Sequence, residues 1–203
     1  MVKIFLKLTL FVVFLATSSI LKADPYSLAN ISQYLQNLKI LKADFSQINP
    51  DDTISSGTIL IKRPGRMRFE YNKPDKTLVL VSAGALAIFD PKGDEKPITY
   101  PIKNNPISLI LKGKVDLLNS GIVVKYKVSA EKAVLTIRDP KKPQRGSVEL
   151  VFVGTKPELE KFTIKNENGS STSISLKNTK YPKKLNETLF SIALETSKRR
   201  RKD

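Results

Sequence analysis

Gly57-Thr58-Ile59-Leu60-Ile61-Lys62-Arg63-Pro64-Gly65-Arg66-Met67-Arg68-Phe69-Glu70-Tyr71 is the stretch that decides the fold. Ile59, Ile61 and Arg63 fall on one side of a period of two, and Met67, Phe69 and Tyr71 alternate with Arg66, Arg68 and Glu70. That period predicts half-buried strands, and Pro64-Gly65 between them is a turn signal.

The same period continues on both sides. Ala43, Phe45 and Gln47 alternate with polar neighbours, and strand-like runs follow at Thr77–Ser82, Ala85–Asp90, Glu95–Tyr100, Val123–Ser129, Ala133–Arg138, Ser147–Val153, Leu159–Lys165 and Ser171–Leu176. Turn residues separate them, among them Lys73-Pro74-Asp75, Asp90-Pro91-Lys92-Gly93, Asp139-Pro140 and Asn166-Glu167-Asn168-Gly169. Short strands at this spacing predict an antiparallel sheet that curls to protect its edges, as a barrel or half-barrel.

Two segments break the pattern. From Asp24 to Lys42 the apolar residues Leu28, Ile31, Tyr34, Leu35, Leu38 and Leu41 recur at three- and four-residue steps, predicting one amphipathic helix capped by Asp24 or Ser27. In the middle, Asn105 followed by Pro106-Ile107-Ser108-Leu109-Ile110-Leu111-Lys112 predicts a second apolar helix, continuing through Asp116-Leu117-Leu118. The expected fold class is therefore α+β, mainly antiparallel β, with helices lying on one sheet. A curved sheet covered in this way encloses an apolar space, filled either by its own side chains or by an apolar ligand.

Arg63 bears on that choice. By alternation its guanidinium points where Ile59 and Ile61 point, and a buried Arg requires acceptors for its donors. The free carbonyls at the C-terminal ends of the covering helices, favoured also by the helix dipole, are the first candidates. The other reading has Arg63 reaching solvent from the strand end beside Pro64.

Composition narrows the chemistry. The 203 residues carry 35 Lys plus Arg against 19 Asp plus Glu, a formal charge of +16, with no His, Cys or Trp. That excludes Ser-His and Cys-His nucleophiles, thiolate catalysis, zinc knuckles, iron–sulfur clusters and disulfides. The paired acids Asp51 with Asp52 and Glu158 with Glu160 sit in turn-like or solvent-facing contexts. Ser170 to Ser173 enters a strand without a Ser-x-x-Lys pattern. No enzyme, cofactor or metal site is expected.

Residues 1–23 read as a signal peptide: Lys3, then an apolar stretch from Ile4 to Leu21 interrupted by Lys7, then Lys22-Ala23 before Asp24. Its densest run, Leu8 to Ala16, is far shorter than the roughly 20 residues of a membrane span. Cleavage near Ala23 leaves 32 bases against 19 acids, +13, in an exported chain with no N-terminal Cys to lipidate. Five of those bases lie in the expected tail 198–203, Lys198-Arg199-Arg200-Arg201-Lys202-Asp203, read as a frayed, solvated terminus or as a contact for anionic lipid headgroups. Residues 24–197 form the expected single domain. Nucleic acid is not an expected partner of an exported protein whose case for it rests on charge alone.

Several stretches in order resemble one family: the N-terminal helix running into Phe45-Ser46-Gln47, Gly57 to Gly65, Met67 to Tyr71, Ser82-Ala83-Gly84, Phe89-Asp90-Pro91, Asn105 to Leu111, Asn166 to Gly169 and Asn186 to Phe190. The sequence is similar to the outer-membrane lipoprotein carrier protein (LolA) family. The resemblance implies an unclosed half β-barrel under a lid of α-helices enclosing an apolar cavity. It also implies a periplasmic monomer that takes lipoprotein acyl chains from an inner-membrane ABC transporter complex to an outer-membrane receptor. It implies that Arg63 locks the empty lid through carbonyls near Leu35, Ile110 and Leu111. The implied acyl-chain cavity carries Ile59, Ile61, Met67, Phe69, Tyr71, Phe45 and Leu38. The sequence departs from better-known members in lacking Trp, with Phe69 where an indole is often found, and in its basic tail. A periplasmic lipid- or lipoprotein-sensing module uses the same half-barrel but normally adds a second domain, for which about 180 mature residues leave little room.

Overall fold

The computed structural model describes residues 25–93 and 96–201. The expected signal peptide with Ala23, Asp24 as a cap, Glu95, and Lys202-Asp203 lie outside the described residues. In chain order the elements are α1 (Leu28–Asn37), β1 (Ile40–Ile48), β2 (Ile54–Lys62), β3 (Arg66–Tyr71), β4 (Leu78–Ser82), β5 (Ala85–Phe89), β6 (Ile98–Pro101), α2 (Ser108–Leu111), β7 (Val123–Val128), β8 (Lys132–Arg138), β9 (Ser147–Val153), β10 (Glu158–Lys165), β11 (Ser171–Lys180) and α3 (Ile192–Arg200). A 3-10 turn at Glu187–Phe190 precedes α3.

All eleven strands join one antiparallel sheet in the order β6-β5-β4-β3-β2-β1-β11-β10-β9-β8-β7, so chain neighbours pair throughout and β1 meets β11 at the seam. Among the described residues β6 and β7 end the order without pairing to each other, which makes the architecture an unclosed half-barrel. Each strand run expected from the sequence contains a strand here, although the run expected over Glu95–Tyr100 begins only at Ile98.

Register explains why the decisive stretch works. Leu41, Ile61 and Met67 lie opposite one another across β1, β2 and β3, as do Ala43, Ile59 and Phe69, and then Phe45, Gly57 and Tyr71. These three rows share the concave face. They belong to one continuous apolar core with α1, α2 and the inner faces of β8 to β11. In the third row Gly57 has no side chain, and the rings of Phe45 and Tyr71 close over it 5.1 Å apart at 82°.

The N-terminal helix is shorter than its periodicity predicts. Ser27 caps it, its Oγ accepting from the Asn30 amide at 3.2 Å, but it ends at Asn37 and Leu38 is extended. Leu41, expected on the helix, is on β1 opposite Ile61. The physical reason is competition: Leu41 also begins the alternation with Ala43 and Phe45. Strand pairing from Ile40 onward, with the Arg63 amide donating to the Lys39 carbonyl at 2.8 Å, claims the backbone that a longer helix would use.

The second expected helix is also corrected. Asn105 Oδ1 accepts from the Ile107 amide at 3.0 Å, but α2 is a single turn and does not run through Asp116–Leu118. Gly113 follows it, and the Asp116 carboxylate instead accepts from the amides of Leu118 and Asn119, each at 3.0 Å, holding a local turn. The basic segment expected as a frayed terminus forms the last turn of α3 over residues 198–200. That helix lies on the convex face, where Ile192 packs against a second small core of Leu78, Leu80, Ala87 and Phe89. Among the described residues no helix is long and apolar enough to cross a membrane.

Candidate functional site

Arg63 stands one residue past the end of β2, on the side of that strand that carries Gly57, Ile59 and Ile61, and only 6% of it is exposed. The inward reading of its alternation is the one realised. Its Nη1 donates to the carbonyls of Leu35 and Leu38, the latter at 3.1 Å. Its Nε donates to the carbonyl of Lys112 at 2.8 Å, and Nη2 donates to the same oxygen. One guanidinium thus ties the last turn of α1 and its cap to the end of α2. Burial holds its pKa below the ordinary Arg value. Even so the group stays charged, because carbonyls at two helix ends supply negative potential.

The acceptors differ in part from those expected. Leu35 receives the guanidinium, whereas among the described residues Ile110 and Leu111 do not. The Leu111 carbonyl instead accepts from the Gly65 amide at 2.9 Å, across the Pro64-Gly65 turn. Because α2 is one turn long, its free carbonyl end falls at Lys112, one residue past the expected pair. Leu38, expected as a cavity residue, contributes its carbonyl to the Arg63 cluster as well as a buried side chain.

The other residues named for the cavity come together on the concave face. Ile59, Ile61, Met67, Phe69, Phe45 and Leu38 are all buried in the main core, and Tyr71 is half-buried against it. Phe45 and Phe69 meet edge to face at 5.2 Å, and Phe69 stacks on Tyr71 at 6.3 Å. The Tyr71 hydroxyl donates to Gln47 Oε1 at 2.9 Å, and burial pushes its pKa up to about 12. Arg63 therefore closes one end of β2's apolar row and an aromatic cluster closes the other.

Two further anchors were not signalled by the sequence. Tyr34, on α1, meets the edge of Phe152 at 5.6 Å. Its hydroxyl lies 3.2 Å from that of Tyr181 and accepts from the Leu159 amide at 3.3 Å, so α1 is pinned to the far half of the sheet. Burial raises the Tyr34 pKa well above the ordinary tyrosine range, so its proton is retained. Beside it a cleft of about 430 Å³ opens between the end of α1 and Tyr181-Pro182-Lys183. The second anchor is Glu187, whose carboxylate pairs with Lys62 and Arg66 and whose pKa is lowered by those contacts, Lys62 first. With Arg68 donating to the Leu189 carbonyl at 2.8 Å, this fastens the 3-10 turn to β2 and β3. A lone Glu following Asn186 carries no sequence signal that would reveal either partner.

An unclosed sheet with an apolar concave face is covered here by short helices held through their backbone carbonyls. The family model described as outer membrane lipoprotein carrier protein LolA matches residues 36–193, and the chain belongs to that family. An outer-membrane lipoprotein carrier protein of Coxiella burnetii is 27% identical over 183 residues, covering 85% of each chain. Among solved structures, a LolA superfamily protein of Nitrosomonas europaea aligns with a TM-score of 0.43 at 10% identity, covering 80% of this chain and 96% of that one. The Pseudomonas aeruginosa MucA/MucB complex aligns with a TM-score of 0.44 at 16% identity, covering 82% of this chain and 60% of that one.

Proposed function

We propose that this lipoprotein carrier works in the periplasm, exported by a signal peptide over residues 1–23 that is removed near Ala23. There it takes lipoproteins from an inner-membrane ABC transporter complex and delivers them to an outer-membrane receptor, acting as a monomer and without a chemical step. The lipid chains enter between the concave face, carrying Ile59, Ile61, Met67, Phe69, Tyr71, Phe45 and Leu38, and a lid formed by α1 and α2. Arg63 keeps that lid shut when no cargo is bound.

The observation that carries this reading is the Arg63 guanidinium, buried and bonded to backbone carbonyls of both covering segments. Magnitudes support a reversible lock. Each bond from a charged donor contributes about 1.5–3 kcal/mol. The four bonds of Arg63 therefore come to about 6–12 kcal/mol, comparable to the roughly 11 kcal/mol from burying one chain of about fourteen methylenes and below the burial of two. Cargo thus shifts the lid open by its own burial, and departure of the cargo lets Arg63 close it.

Mass spectrometry of bound lipid in the purified protein, combined with extraction of a triacylated lipoprotein from membranes containing the transporter, tests the reading. A soluble one-to-one complex is expected. Failure to extract with the transporter present, while the protein still binds lipid, would instead favour a lipid-sensing module.

A further inference from the structure

The cleft of about 430 Å³ between the end of α1 and Tyr181-Pro182-Lys183 has the size of a small-molecule site. Tyr34, Leu38, Ile40 and Tyr181 give it apolar walls, and the exposed Lys39 and Lys183 complete its lining. Neither lysine makes an ion pair among the described residues, and the Lys39 ammonium donates to the Gln36 carbonyl at 3.1 Å. Among the described residues no acid lines the cleft. Glu158 acts on both tyrosines through its charge, from outside that lining.

The tyrosine pair adds a donor. The Leu159 amide donates to Tyr34, and the hydroxyls of Tyr34 and Tyr181, 3.2 Å apart, share one hydrogen bond. Two hydroxyl protons meet there and the shared bond uses one, so the other is left to donate to an occupant. Burial raises both pKa values, so both protons are kept near neutrality.

We infer that this cleft is a binding site for an anionic amphiphile with a single short alkyl tail. The tail replaces water against the tyrosine rings, Leu38 and Ile40, while the head accepts the remaining hydroxyl proton and meets the two lysines. A neutral amphiphile gives the lysines no opposite charge, and a bare anion leaves the apolar walls wet.

Placement gives the site a consequence, because its floor is backbone that Arg63 holds. Leu38 gives its carbonyl to the guanidinium, and the Lys39 carbonyl accepts from the Arg63 amide at 2.8 Å. Opening the junction between α1 and β1 takes the cleft apart, so an occupant steadies that junction. The site does not depend on the carrier reading.

The mature chain is titrated with octyl phosphate, octyl glucoside and inorganic phosphate, the two amphiphiles kept below micelle formation, and the isoleucine methyls are followed by NMR. Octyl phosphate is expected to shift Ile40 before Ile59 and Ile61 on the concave face. It should bind at least about tenfold more tightly than octyl glucoside or inorganic phosphate. Replacing Lys39→Gln and Lys183→Gln together lowers its affinity about tenfold, at about threefold per exposed cation. Tyr181→Phe lowers it about fivefold. At about ten times its dissociation constant, octyl phosphate slows exchange of the Arg63 amide about tenfold. Equal binding of octyl glucoside, shifts that begin at Ile59 or Ile61, an unaffected double-lysine variant, or no shift at all would overturn the inference. Failure to extract lipoprotein by a protein that still binds octyl phosphate at Ile40 would sink the carrier reading and leave this one standing.

Discussion

Arg63 reaches across the Pro64-Gly65 turn to donate its Nε to the carbonyl of Lys112 at 2.8 Å, joining the end of β2 to the end of α2. With Leu35 and Leu38 on its other side, the same side chain bridges two segments that are otherwise 70 residues apart in sequence or more. Arg63→Leu removes every one of these bonds while keeping an apolar stem. The Gly65 amide, bonded to the Leu111 carbonyl on α2, is then expected to exchange its hydrogen at least about tenfold faster, since even one charged bond is worth that factor. Amides of β9 and β10 should be unchanged. Uniform acceleration across the sheet would mean that Arg63 supports the whole fold rather than the lid.

Gly57→Ala tests the aromatic end of the same strand. A Cβ there would overlap the Glu70 carbonyl oxygen and come within 2.8 Å of Cε1 of Phe45. Because the first obstacle is backbone, β2 and β3 must part, at a cost of about 1–3 kcal/mol in urea unfolding. Stability unchanged from wild type would show that the Phe45–Tyr71 closure over Gly57 is loose.

Phe152→Ala removes the ring that Tyr34 meets edge to face and leaves a hole in the fully buried core. The expected loss is about 3–5 kcal/mol of unfolding free energy. The α1 amides should lose protection before those of β1. A loss below about 1 kcal/mol would contradict the packing described for α1.

Glu187 supplies a pH dependence. Its folded-state pKa lies below the ordinary 4.5, so its pairing with Lys62 and Arg66 stabilises the protein fully above that value and is lost as pH falls through the folded pKa. The melting-temperature gap between wild type and Glu187→Gln should be constant near neutrality and close on acidification. A gap unchanged into acid would show that the carboxylate's charge is not what holds the 3-10 turn.

The sheet was legible because period-two alternation and turn residues are local signals. Ile59, Ile61 and Arg63 declared a common face, which left Arg63 either turned inward or reaching solvent beside Pro64; its carbonyl partners decide for the first. The resemblance added the lid and its Arg lock. Carbonyl acceptors, by contrast, are properties of where a helix stops, and the sequence overran both stops. Leu41 satisfies helical and strand spacing equally, so pairing with Ile61 decided it. Lys112 leaves the helical conformation, so the second helix stops well before Asp116, and the Lys112 carbonyl rather than that of Leu111 accepts from Arg63. Arg199 illustrates a different limit: its charge reads as solvated tail, and only the position of Phe89 on the convex face, its ring 4.9 Å from the guanidinium, reveals a seat for it. The Tyr34–Tyr181 and Glu187 anchors join residues more than 100 positions apart, where no periodicity reaches.

Transfer of bound lipoprotein to acceptor membranes, compared between wild type and Arg63→Leu loaded to the same extent, tests the lock most directly. The account predicts that the variant loads but releases poorly, because a lid that cannot close no longer competes with the cargo. Equal transfer by the two proteins would contradict it.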